Sequence, residues 1–94
     1  MKNDYLHIYC YDISQRKMRA RVVARLSERA VRVQQSVFEA RLTTAAGARL
    51  ARACAAELQP GDSLRVYVVT RAGLSSCLTF GATPPVTDAD YLLL

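Results

Sequence analysis

The order of apolar patterns along the chain predicts an α+β domain in which two helices cover one face of an antiparallel sheet. Three observations support this prediction: a strand leads directly into an amphipathic helix, the apolar parity changes abruptly within a second β segment, and a second helix precedes an alternating strand. The resulting order, β-α-β-β-α-β with a short extra strand at the C-terminal end, is that of the ferredoxin-like fold. The length of 94 residues fits one such domain.

The first strand is predicted over residues 5–12, because both of its alternating faces are apolar or aromatic, as in a strand covered on both sides. Ser14 follows as a suitable N-cap for a helix over residues 15–30. Apolar residues recur every four positions along that helix and predict its core-facing stripe: Met18, Val22, Leu26 and Ala30.

A change of apolar parity divides the next β segment into two strands. Apolar residues stand at odd positions up to Val33 and at even positions from Phe38 on. Because the side chains of a strand alternate with period two, this change requires a turn or a bulge. We place it at residues 34–36, between strands over 31–34 and 37–42.

The second half of the chain repeats the alternation of helix and strand. Thr43 and Thr44 cap a helix predicted over residues 45–58. A turn over residues 59–62 then leads into an alternating strand over residues 64–70.

A further short strand is predicted from Cys77 to Phe80, within a domain that spans residues 1–83. Residues 84–94 form a tail with an apolar end, which we expect to dock on its own subunit or on a partner. The sheet face away from the helices is expected to carry Tyr9 and Tyr11. Burying such a face requires a partner, so the sequence predicts a homodimer with two-fold symmetry.

Basic residues are concentrated in one part of the chain. The whole sequence has 13 Lys and Arg against 8 Asp and Glu, and seven of the basic residues but only one acid lie between residues 16 and 32. Positive charge concentrated in so short a segment suggests a polyanionic partner. The alternative is a helix face that is simply solvated, since such a face has the same composition. Four basic residues recur every four positions and form a ladder about 18 Å long. Because like charges at this spacing repel, phosphate contacts would explain the ladder of Lys17, Arg21, Arg25 and Arg29.

Composition favours an ordinary globular protein in the cytoplasm. Apolar residues make up 51% of the chain and charged residues 22%. No apolar run approaches the roughly 18 residues of a membrane span, and the N-terminus lacks a signal-type stretch, so no membrane association is expected. The three cysteines are widely spaced without a C-x-x-C pair, which favours reduced apolar residues over a metal site or disulfides.

Most catalytic arrangements lack their parts in this sequence. His7 is the single histidine and lies in mid-strand, which argues against a Ser–His–Asp or Cys–His centre. The four glycines are scattered, so there is no glycine-rich phosphate loop. Asp12 ends the first strand directly before a helix. It is either a helix-start aspartate or a ligand that, paired with its symmetry mate, holds a hydrated Mg²⁺.

Two segments resemble the small CRISPR-associated endoribonuclease family, the non-integrase subunits of the spacer-acquisition complex. They are Tyr11-Asp12-Ile13-Ser14 at the end of the first strand and R-V-Q-Q-S-V-F-E over residues 32–39. The resemblance covers roughly residues 5–80. It implies a ferredoxin-like homodimer whose C-terminal strand often crosses to the partner's sheet.

The resemblance also implies roles for particular residues. Asp12 of each protomer would lie at the dimer interface, where a divalent ion binds, and Tyr11 would flank that site as a second catalytic residue. Arg19 and Arg21 match basic residues near the site. Roles in nuclease activity or in packing nearby are implied for Arg32, Ser36 and Phe38.

Two departures from the family pattern change the charge and one backbone position. Gln15, Arg16 and Lys17 stand where acidic residues are usual, and Ala30 stands where glycine is frequent. The first change removes further metal ligands and favours phosphate binding over catalysis.

The favoured function is that of a CRISPR adaptation subunit in antiviral defence, a homodimer that binds the backbone of duplex DNA and bridges integrase subunits. The alternative is a Mg²⁺-dependent endonuclease, a hydrolase of RNA or DNA phosphodiesters. A third hypothesis is an unrelated ferredoxin-like module that senses a small molecule or binds RNA. The candidate contacts to nucleic acid are Arg16, Lys17, Arg19, Arg21, Arg25 and Arg32.

Overall fold

The computed structural model describes residues 3–81, and the predicted tail over residues 84–94 lies outside them. The elements in chain order are β1 (Asp4–Asp12), α1 (Arg16–Ser27), β2 (Val31–Gln34), β3 (Val37–Thr43), α2 (Thr44–Ala55), β4 (Ser63–Val69) and α3 (Arg71–Ser75). The four strands form an antiparallel sheet in the order β2-β3-β1-β4. This confirms the predicted α+β class and the ferredoxin-like element order.

The core lies between the sheet and the pair α1 and α2. Val22 and Leu26 of α1 are fully buried, as is Cys54 of α2, which confirms the apolar stripe along α1. Ala30 is buried too, but it lies beyond the end of α1, so the predicted extension of the helix to residue 30 is wrong. From the sheet side the core receives Tyr9 and Phe38, which are direct cross-strand partners and therefore share a face.

Tyr9 and Tyr11 therefore face the helices, and the prediction that they lie on the uncovered sheet face is wrong. The alternation of β1 places Leu6, Ile8 and Cys10 on the other face. Both faces of β1 are apolar, so periodicity alone could not assign them. The aromatic side chains belong inside because they have the volume to span the gap between sheet and helices.

Close approach of α2 to β1 depends on Gly47. A Cβ atom at this position would come within 2.2 Å of Nε2 of His7, which is 1% exposed. The Tyr9 hydroxyl donates a 2.9 Å hydrogen bond to the Gly47 carbonyl. The glycine thus brings α2 against β1, and His7 is a core residue.

The predicted break between the second and third strands is confirmed. β2 ends at Gln34, β3 begins at Val37, and a two-residue turn connects them. The register also shifts between Arg32 and Gln34, so Val33 is one residue too many for the ladder, a β-bulge. The two-residue turn pairs odd positions of β2 with even positions of β3 and so accounts for the change of apolar parity, whereas the bulge shifts the pairing and sets Arg32 opposite Phe38.

The two longer helices begin differently. The Thr43 side chain accepts a 3.1 Å hydrogen bond from the Ala46 amide, which confirms the predicted cap of α2. α1 has Gln15 at its N-cap and no side-chain capping bond, so the prediction that Ser14 caps it is wrong. Ser14 instead contacts Asp62 in the turn before β4.

The chain after β4 also differs from the prediction. The five-residue helix α3 follows, with the Thr70 hydroxyl accepting from the Gly73 amide at 3.0 Å. Residues 77–80 are not a strand within the described protomer, because no sheet edge pairs with them. Leu78 and Phe80 are 79% and 84% exposed. In the described part of the chain, every helix is too short or too polar to cross a membrane.

Candidate nucleic-acid and metal site

A pocket of about 600 Å³ opens where β1 ends and α1 begins. Its wall is formed by the end of β1, the first two turns of α1 and the β2–β3 turn. Six of the residues singled out in the sequence line this one pocket: Tyr11, Asp12, Arg16, Arg19, Arg32 and Ser36.

The β2–β3 turn holds the Arg32 guanidinium in place. Nε of Arg32 donates to the Gln35 carbonyl at 3.1 Å, and Nη2 donates to the same oxygen. The guanidinium also lies over the ring of Phe38, with 5.5 Å from Cζ to the ring centroid. Since the Val33 bulge separates Arg32 from the turn, the strand can place the residue beside Phe38 and still fold its side chain back onto Gln35.

Tyr11 joins this network through its hydroxyl group. The hydroxyl donates to the Gln35 carbonyl at 3.0 Å and accepts from Nη2 of Arg32 at 3.4 Å. The ring is buried and lies 6.4 Å from the ring of Phe38, centroid to centroid. The hydroxyl proton is therefore directed at the protein backbone, an arrangement that serves to orient Arg32.

Two side chains hold the segment that carries Asp12. Nη1 of Arg19 donates to the Ile13 carbonyl at 2.9 Å and to the Ser14 carbonyl at 3.3 Å. On the other side, Oδ1 of Asp62 accepts from the Ser14 amide at 3.2 Å. Asp12 itself is exposed at the end of β1.

The charges of the pocket are three arginines and one carboxylate. Within residues 3–81 no group of three or more His, Cys, Asp or Glu side chains lies close enough to hold a metal ion. A protomer thus offers Asp12 as a single carboxylate. Mg²⁺ in proteins is usually bound by one or two carboxylates together with substrate phosphates, so Asp12 alone is an incomplete set of ligands. The donor set fits Mg²⁺ only when a second Asp12, from a symmetry mate, or a phosphate completes it.

The predicted ladder on α1 does not form one continuous surface of unpaired charge. Arg25 donates to Oε2 of Glu57 from Nε at 3.1 Å and from Nη2 at 2.9 Å, and Nη1 of Arg21 lies 3.6 Å from Oε1. These three residues line a second depression of about 430 Å³. The Arg25 hydrogen bonds, with smaller effects of the nearby arginine charges, hold the pKa of Glu57 below its ordinary value. A carboxylate of this chain, rather than a phosphate, therefore accounts for two rungs of the ladder.

The remaining residues that the sequence singled out lie at different places in the fold. Lys17 is exposed on α1. Arg29 is exposed in the turn after α1, because the helix ends at Ser27 rather than at the predicted residue 30, so the last rung of the ladder is not on the helix. Phe38 is fully buried beneath Arg32, so it supports the pocket without lining it. Cys54 is buried in the core, where desolvation raises the pKa of its thiol to about 11.

Sequence reasoning missed three residues that shape the two depressions: Gln35, Glu57 and Asp62. Gln35 acts through its backbone carbonyl, so its side-chain identity carries no signal. Glu57 and Asp62 make their contacts with α1 and with the segment before it, 32 and 48 residues away along the chain. No periodicity of one sequence reports contacts over that separation.

The fold and the pocket together define a small basic protein of the ferredoxin-like class. The family model described as CRISPR associated protein Cas2 matches residues 5–76. The chain is 35% identical over 89 residues to CRISPR-associated endoribonuclease Cas2 2 of Synechocystis sp., covering 93% of this chain and 96% of that protein. The chain therefore belongs to the Cas2 family of CRISPR-associated proteins.

Solved structures agree with this assignment. A protein from Thermus thermophilus described as hypothetical protein TT1823 has a TM-score of 0.73 and 30% identity, over 86% of this chain and 95% of that one. A structure described as cas2 has a TM-score of 0.64 and 26% identity, over 69% of this chain and 74% of that one. Streptococcus pyogenes Cas2 shares the fold at a TM-score of 0.67 and 24% identity, over 81% of this chain and 99% of that one.

Proposed function

We propose that this protein is a CRISPR adaptation subunit that binds the backbone of duplex DNA as a homodimer and bridges integrase subunits during spacer acquisition. The observation that carries the proposal is the pocket at the end of β1, where Arg16, Arg19 and Arg32 surround a single carboxylate. Guanidinium groups form paired hydrogen bonds with phosphate oxygens. Two of these arginines are already oriented by backbone carbonyls, so less side-chain entropy is lost on binding.

The sheet face away from α1 and α2 supports the homodimer, because it is open along part of its length, although Leu6 at one end is buried. Ile8, Cys10 and Tyr67 lie on the face away from the helices, and Tyr67 is 50% exposed. Leu78 and Phe80 add exposed apolar surface after α3. A second copy packed on this face would bury these side chains, and the segment with Leu78 and Phe80 would extend the partner's sheet. Such a dimer would carry two basic pockets.

Binding to unrelated duplexes over a range of salt concentrations tests the proposal. A backbone-binding dimer should bind duplexes of different sequence within about three-fold of one another, and the logarithm of affinity should fall linearly with the logarithm of salt concentration. Co-purification with the integrase of the same CRISPR system tests the bridging role. Sequence-selective binding, or no binding to duplex and integrase alike, would contradict the proposal and favour the unrelated module.

The second candidate function is a Mg²⁺-dependent endonuclease. It is favoured by the name endoribonuclease given to the Synechocystis relative and by the exposed position of Asp12 among arginines. Asp12 of each protomer would hold the ion at the interface. When bound, Mg²⁺ supplies Lewis-acid polarisation of a phosphodiester. The arginines would orient the scissile phosphate, and Tyr11 would act by holding Arg32.

Asp12→Asn distinguishes this activity from contamination. The variant should lose chelator-sensitive cleavage of RNA or DNA and remain a dimer. Full-rate cleavage by the variant would assign the activity to another source. Retention of duplex binding by the same variant would leave the first proposal intact.

A further inference from the structure

One carboxylate in the turn between α2 and β4 links that turn to the start of α1. Oδ2 of Asp62 accepts from the Gln59 amide at 2.9 Å, which closes the turn itself. Oδ1 accepts from the Ser14 amide at 3.2 Å and from the Ser14 hydroxyl at 3.4 Å. The contacts of Oδ1 add nothing to the turn, since they reach a residue 48 positions earlier.

The segment that Asp62 reaches is the one that leads out of Asp12. Its carbonyls, at Ile13 and Ser14, are engaged by Arg19 from the α1 side. α1 begins without a side-chain cap, so the start of the helix does not hold this segment by a capping bond of its own. Asp62 supplies the hold from the side opposite Arg19.

We infer that Asp62 is a positioning residue that fixes the strand end carrying Asp12 and thereby the direction of the Asp12 carboxylate. The inference rests on the Asp12 metal site proposed above. Hydrogen bonds to an ionised acceptor are stronger than neutral ones, and the bonds from Gln59 and Ser14 lower the pKa of Asp62, so the charge persists at neutral pH. Groups that orient a metal ligand without touching the metal typically change metal affinity by 10- to 100-fold when removed.

Mn²⁺ binding to the full-length dimer, followed by electron paramagnetic resonance, tests the role of Asp62 with a readout independent of cleavage. Four variants are compared: Asp62→Ala, Ser14→Ala, Asp12→Asn and, as a control for loss of an exposed carboxylate, Glu28→Ala. Exchange of the Ser14 amide, followed by NMR, reports whether the strand end is held.

The expected result is graded. Asp62→Ala should weaken Mn²⁺ binding about 10-fold and speed exchange of the residue 14 amide. Ser14→Ala loses only the hydroxyl contact and should weaken binding about two- to three-fold, since one of the two Oδ1 bonds remains. Glu28→Ala should match the wild type. If Asp62→Ala fails to fold, Ser14→Ala decides the question alone.

Two failures can be told apart. Wild-type affinity in the Asp62→Ala and Ser14→Ala variants, with loss of binding in Asp12→Asn, would overturn the positioning role and leave the Asp12 site standing. No Mn²⁺ binding by the wild type, or none lost in Asp12→Asn, would overturn the Asp12 site and the positioning role together.

Discussion

The two depressions beside α1 are both built from arginines, yet they differ in what the arginines face. At the β1 end, Arg19 and Arg32 donate to backbone carbonyls, and the full positive charge of each remains. Beside α2, Arg21 and Arg25 share the carboxylate of Glu57. A backbone carbonyl orients a guanidinium group without neutralising its charge. A carboxylate both orients the group and neutralises its charge.

This contrast means that the number of basic residues on α1 overstates the charge it presents to a polyanion. The pocket at the β1 end keeps two net positive charges from three arginines and Asp12. The Glu57 depression keeps one from two arginines. Phosphate binding should therefore depend more on the first region than on the second, although the sequence showed its most regular pattern in the second.

The largest expected effect is that of a substitution at the contact between α2 and β1. Gly47→Ala places a Cβ atom against the buried ring of His7, so β1 and α2 must separate or the ring must move. We expect a loss of about 1–3 kcal/mol in the free energy of unfolding, measured by denaturant titration. Because β1 ends in the pocket and α2 precedes Glu57, we expect the substitution to perturb the two depressions to a similar extent.

A double-mutant cycle provides the control for Gly47→Ala. In the His7→Ala background the added Cβ meets empty space, so the same substitution should cost much less. An equal cost in both backgrounds would show that the contact with His7 is not the cause.

Removing the arginine charges of each depression in a separate variant tests the difference between the two depressions directly. Arg16→Gln/Arg32→Gln should weaken binding to every duplex by at least about ten-fold, at roughly 1.4 kcal/mol per factor of ten. It should lower the slope of log affinity against log salt by about 3–4 if each arginine of the dimer neutralises one phosphate. The matched variant Arg21→Gln/Arg25→Gln/Glu57→Gln should change both quantities by less than half as much. Equal losses would show that both regions contact the backbone.

The elements of the fold were predictable from the sequence because each is encoded locally. The stripe of Val22 and Leu26 has the period of a helix, and the parity change after Val33 can only be a turn or a bulge. Thr43 caps α2 by a contact three residues away. Each of these signals requires only neighbours in the chain.

The errors lie where an outcome depends on distant residues. Ser14 has the chemistry of an N-cap, but its hydroxyl and amide are taken by Asp62 from another turn. The face of Tyr9 could not be assigned because both sides of β1 are apolar, and Gly47, which receives its hydroxyl, lies 38 residues away. Many residues of the pocket could be predicted because the end of β1 and the start of α1 are adjacent in the chain. The pairing of Glu57 with Arg25 could not be predicted, because the two residues are 32 positions apart.

Removing the counter-charge should make the second region resemble the first. Glu57→Gln leaves Arg21 and Arg25 without their carboxylate, so duplex binding should tighten about two- to three-fold and its salt dependence should steepen. Glu28→Gln, which removes one negative charge at the C-terminal end of α1, provides the control. A similar gain in both variants would attribute the effect to net charge alone, and no gain would show that this face does not meet the nucleic acid.

The smallest expected effect is the acid dependence of the Glu57 pairing. Because Arg25 and Arg21 hold the pKa of Glu57 below its ordinary value of 4.5, the pairing stabilises the fold fully above that value and is lost as pH falls through the lowered pKa. The difference in unfolding free energy between wild type and Glu57→Gln should therefore be constant near neutral pH and shrink below about pH 4.5. Denaturant titrations at several pH values measure it, with high salt reducing the difference at every pH because the groups are near the surface. A difference that persists undiminished in acid would mean that Glu57 acts through packing rather than charge, and the contrast between the two depressions would then lose its electrostatic basis.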